Sequence, residues 1–111
     1  MIRVFIAFLA ATFATSLKAD PLLERGAYLV DAVMACDGCH TPRGPRGFDF
    51  DTSRRFSGGY QIWETPGYTV RGSNISSDRE TGIGNWSVED IKRLIKDGVR
   101  PNGVPVVHQM S

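Results

Sequence analysis

Five consecutive residues, Cys36-Asp37-Gly38-Cys39-His40, carry the sharpest chemistry in the chain and contain both of its cysteines. On helical backbone, thiols three positions apart share one side, and a side chain four positions after the first shares it too. Each thiol can then add to one haem vinyl group as a thioether, and the His40 imidazole can reach the iron as proximal ligand. A bare Cys-x-x-Cys also occurs in disulfide loops, zinc knuckles and thioredoxin-like redox sites. The adjoining histidine favours covalent haem c, with Cys36 and Cys39 as attachment points and His40 as the metal ligand.

The iron's other side offers Met34, His108 and Met110 as candidates. Met34 lies too near the attachment motif to reach the opposite face and is assigned to the core. His108 and Met110 follow a segment containing Pro101, Gly103 and Pro105 that could swing across the porphyrin. Either fits by chemistry. Met110 is preferred because His/Met ligation raises the reduction potential, and His108 is read as an exposed, solvated side chain. Two alternatives use the same thiols: zinc held by Cys36, Cys39, His40 and His108, or thiol–disulfide exchange. Two adjacent ligands rarely share a tetrahedron with so remote a pair, and exchange would want a βαβ setting.

Upstream of the motif, Arg3 precedes an uncharged run from Val4 to Leu17 rich in Ala, Phe, Ile and Leu. It falls short of the roughly 20 residues a membrane-spanning helix needs and reads as an export signal cut after Ala19. The expected division is a signal peptide over 1–19 and one domain over 20–111, with a retained anchor as the alternative. Export places the domain in the periplasm, at the inner-membrane surface.

The 111 residues carry 13 Lys+Arg against 12 Asp+Glu, a balance without the electrostatic footprint of nucleic-acid binding. The length allows one domain. With 12 Gly and 6 Pro, a chain this small buries little apolar surface and needs a metal, a disulfide or a cofactor to complete its core.

Periodicity predicts two helices. The first runs from about Pro21 to Ala35, with Leu22, Leu23, Tyr28, Leu29, Ala32 and Val33 on one stripe and Asp20 as its cap. The second opens at a capping box, Ser87 to Asp90, presents Val88, Ile91, Leu94 and Ile95 on one face, and stops at Gly98. Both stripes are expected to pack on a core. From Thr41 to Trp86 the chain is punctuated by Gly and Pro without sustained periodicity, which suits a long segment wrapping a large apolar ligand. Arg43, Arg46, Arg54, Arg55 and Arg71 fall in this loop, where one or two could pair with haem propionates. The Trp86 indole is a further candidate propionate contact.

Together, Gly26-Ala27-Tyr28-Leu29-Val30, Cys36 to Gly44, Gly58-Gly59, Asn74 to Asp78, Thr81 to Ser87, Asp90-Ile91 and Gly98 to Gly103 resemble class I cytochrome c domains. The resemblance is to those in the cytochrome subunits of bacterial membrane-bound alcohol and sugar-acid dehydrogenases. It implies an all-α domain, few helices and long loops around one covalent haem. It implies an electron carrier rather than an enzyme, taking electrons from a dehydrogenase catalytic subunit and passing them to a quinone or a terminal oxidase. Membrane association would then run through the partner. By the same resemblance, Met110 matches the family's distal methionine and Trp86 lies in the loop bordering the haem edge. Family subunits commonly carry three haem domains, and each continues past the distal methionine into a C-terminal helix. This chain has one motif and ends after Ser111, so the expectation is a truncated reading frame or fragment with that helix missing.

Overall fold

The computed structural model describes residues 19–59 and 62–110; apart from Ala19, the expected signal segment lies outside the described residues. Helix α1 spans Pro21–Tyr28, where the Asp20 carboxylate accepts the Leu22 N–H at 2.9 Å and Pro21 occupies the first turn. The helix then widens into a π-helical turn over Leu29–Val33. It stops where Ala35 takes a left-handed φ of 49°. Helix α2 is the single turn Asp37–His40. Within the attachment motif, the His40 N–H donates to the Cys36 carbonyl at 3.0 Å, so Cys36 through His40 form one helical turn.

Helix α3 spans Val88–Asp97. Its capping box closes in both directions: the Asp90 N–H donates to the Ser87 hydroxyl and the Ser87 N–H to the Asp90 carboxylate, each at 3.1 Å. The hydroxyl's hydrogen bond holds the Asp90 carboxyl below the usual carboxylate range. Gly98, at φ 66°, ends the helix with its N–H on the Leu94 carbonyl. Both predicted helices are therefore present.

The all-α expectation is overturned. Strands β1 (Ile62–Thr65) and β2 (Tyr68–Arg71) form an antiparallel hairpin inside the segment read as irregular, with Trp63 opposite Val70 and Thr65 opposite Tyr68. Pro66-Gly67 makes the turn, and the flanks are rich in aromatic and β-branched residues that suit a pleated ladder. Four-residue strands are too short for alternation to show against the surrounding Gly and Pro.

The expected helix–core packing is also overturned. Among the described residues no apolar side chain is buried, and Leu22 and Leu23 on α1 are 80% and 73% exposed. Met34, assigned to a core, is 46% exposed. The buried positions are instead His40, Thr41 and Gly58. There, three remote segments are laced by backbone: the Gly58 N–H donates to the His40 carbonyl at 2.6 Å, Gly59 to Gly72 at 2.7 Å and Ile75 to Phe56 at 2.9 Å. The Phe56 N–H donates to the Thr41 hydroxyl at 3.0 Å. With little apolar burial of its own, the fold is organised around this polar knot and the cavity beside it.

Candidate functional site

His40 sits at the end of α2, only 7% exposed. Its Nδ1 lies 2.8 Å from the Ser73 carbonyl oxygen. A carbonyl can only accept, so Nδ1 carries the proton and Nε2 keeps its lone pair for a metal. Gly72 lets the two backbones meet: a Cβ there would overlap the Cys39 carbonyl oxygen.

The imidazole faces a cavity of about 410 Å³ that Cys39, Trp86 and Met110 also line. Its volume falls within the ~300–1,000 Å³ of small-molecule and cofactor pockets. Four of the five candidate site residues thus share one cavity although they span positions 39 to 110. Met110 reaches it from a 3₁₀ turn over His108–Met110, behind a Val99–Pro105 bridge that folds the post-α3 segment back. Cys36, at the start of the same turn, is half-buried and does not line the cavity; burial pushes its thiol pKa up. The two cysteines are not bonded to each other. His108 is exposed and lies off the cavity wall. Among the described residues, no three His, Cys, Asp or Glu side chains gather to hold a metal ion between them.

The wrapping-loop arginines divide. Arg46 pairs with Asp49 at 3.1 Å and Arg54 with Asp51 at 2.7 Å. Arg55 forks onto Asp37 from Nε, 3.0 Å to each carboxylate oxygen, and reaches Asp31 as well. The Arg43 guanidinium lies 4.2 Å from the Phe50 ring centroid. None of these four lines the cavity, whereas Arg71 does. Three contributors escaped the sequence reading: Trp63 on β1, the Ser73 carbonyl, and Arg100 beyond α3. The aromatic-rich strand before Pro66-Gly67 was a signal for the first; the second acts through backbone and leaves no side-chain trace.

No helix among the described residues is long and apolar enough to cross a membrane. No family model matches the chain. It is 31% identical over 90 residues, 78% of its length, to the gluconate 2-dehydrogenase cytochrome c subunit of Pantoea cypripedii. Over 108 residues, 95% of its length, it is 31% identical to the cytochrome c subunit of the quinone-type alcohol dehydrogenase of Gluconobacter oxydans. A third relative, the fructose dehydrogenase cytochrome subunit of Gluconobacter japonicus, is 32% identical over 75 residues, 68% of the chain. The chain spans 20% of the length of the first two and 14% of the third. At 31–32% identity over 68–95% of its length, the chain belongs to the family of these dehydrogenase cytochrome c subunits.

Proposed function

We propose that this chain is a mono-haem c-type electron carrier, exported to the periplasm, that receives electrons from a dehydrogenase catalytic subunit and passes them toward a quinone or an oxidase. The observation that carries the reading is the His40 imidazole, fixed through Nδ1 on Ser73 and turned onto a cavity that Met110 and Trp86 also line.

The donor set suits haem. Cys36 and Cys39 would hold the porphyrin through two thioethers, and His40 Nε2 and the Met110 thioether would ligate the iron. Held there, haem c supplies a one-electron ferric/ferrous couple. The chain's own part is to orient and to tune. Ser73 fixes the tautomer and ring plane of His40, as outer partners of metal-bound histidines generally do. Val70, Ile75, Ile83 and Leu94 give the cavity an apolar wall that would keep water from the bound group. Trp86 offers an indole N–H that can only donate, which suits a propionate acceptor. No substrate bond forms or breaks in this role, so the chain is a carrier and not the catalyst.

The test is the protein exported by a strain with haem-attachment machinery. A pyridine haemochrome spectrum and a haem-mass adduct on the peptide holding Cys36, Cys39 and His40 are expected. A colourless product whose thiols cycle with dithiothreitol would falsify the reading in favour of thiol exchange. One that unfolds with chelator would point to zinc.

A further inference from the structure

The cavity wall has an unbalanced charge. Two guanidinium groups line it, Arg71 at the end of β2 and Arg100 beyond α3, and no Asp or Glu does. Neither arginine has a carboxylate within ion-pair distance among the described residues, in contrast to Arg46, Arg54, Arg55 and Arg93. Two unneutralised cations beside an otherwise largely apolar cavity call for a ligand with an apolar body and carboxylate groups at its edge.

Arg100 is also held in place. Its N–H donates to the Val104 carbonyl at 3.0 Å, and its own carbonyl accepts the Gly103 N–H at 2.9 Å. One guanidinium nitrogen, Nη1, donates to the Pro105 carbonyl at 3.2 Å. A guanidinium has five N–H donors in a fixed fork, so most remain for a planar acceptor. Arg71 is fixed differently, by ladder pairing opposite Ile62 and by the closely packed Gly72 that follows it.

We infer that Arg71 and Arg100, and not the other four arginines of the wrapping loop, are the chain's binding site for the two haem propionate carboxylates. The inference rests on the haem reading above. Besides orienting the porphyrin edge, the two charges sit close enough to the iron's cavity to disfavour its ferric, more positive state, and so raise the reduction potential.

The experiment measures the reduction potential of exported holoprotein by spectroelectrochemistry in wild type, Arg71→Gln, Arg100→Gln, Arg100→Lys and Lys96→Gln. Lys96 lies on α3, exposed and off the cavity, so its replacement removes the same charge from a remote position. The potential should fall in both arginine-to-glutamine variants by more than in Lys96→Gln. Lysine at 100 should restore part of the loss, with the weak methionine–iron absorbance band retained throughout. Haem-loaded variants whose potentials track Lys96→Gln overturn this assignment alone. A potential that falls only together with the methionine–iron band overturns it too, because the effect then runs through Met110. Wild-type protein without haem overturns the functional reading and this assignment with it.

Discussion

His40 Nδ1 and the Ser73 carbonyl oxygen are 2.8 Å apart, although 33 residues separate them in sequence. The contact exists because Gly72 presses against the Cys39 carbonyl with no side chain between them. Gly72→Ala should push this crossing apart and destabilise the protein by about 2–3 kcal/mol, in the range of strong single-site effects. Denaturant titration followed by tryptophan fluorescence measures the loss. An unchanged midpoint would show that the crossing is not needed to hold His40.

Arg55 ties the attachment motif to the segment before it by bridging Asp37 and Asp31. The guanidinium's hydrogen bonds hold the Asp37 carboxyl below the usual carboxylate range. A depressed folded pKa means stability that is present above the unfolded value of about 3.9 and is lost as pH falls through the lower folded value. With Arg55 40% exposed, solvent screening limits the effect to roughly 0.2–1 kcal/mol. Arg55→Gln should therefore be less stable than wild type at pH 7, with the gap closing as pH falls below the unfolded carboxylate value. Paired urea titrations across that range check it, and a gap that widens in acid would refute the assignment.

Ser87 closes the capping box of α3. Ser87→Ala should cost about 1 kcal/mol, whereas Ser87→Gly should cost only a few tenths. For a domain this small, the alanine loss corresponds to a drop of roughly 4–8 °C in Tm. Calorimetry of the two variants side by side decides it, since equal losses would mean that capping is not the cause.

Met110 and His108 share one short turn, yet Met110 lines the cavity and His108 does not. Met110→Ala should lose the methionine–iron absorbance band and lower the reduction potential, because a Met axial ligand raises it. His108→Ala should leave both unchanged. A band that survives in Met110→Ala would place the distal ligand elsewhere.

The Cys36–His40 turn, both helices and the Ser87–Asp90 cap were legible in the sequence because each has fixed spacing over a few neighbouring residues. Of the two methionines weighed as ligands, Met110 lines the cavity and Met34 does not. The hairpin was harder: Pro66-Gly67 marked a turn, but Trp63 and Val70 meet only once strands of four residues pair. The arginines show the deeper limit. Five in the wrapping loop looked equivalent, and what separates Arg71 from Arg46, Arg54 and Arg55 is where Asp31, Asp37, Asp49 and Asp51 come to lie. Arg100 reaches the cavity through the Val99–Pro105 bridge, a pairing that no local pattern announces.

The Gly59 N–H meets the Gly72 carbonyl at 2.7 Å, which clasps the hairpin Ile62–Arg71 at its base. The described hairpin between those two glycines, Ile62–Arg71, leaves the knot around His40 and returns to it. Such a clasped excursion can be shortened, lengthened or exchanged between related sequences at little entropic cost, because its ends already meet. The stretch holding Trp63 and Arg71 is therefore where one side of the pocket can diversify while the imidazole and its carbonyl partner stay as they are.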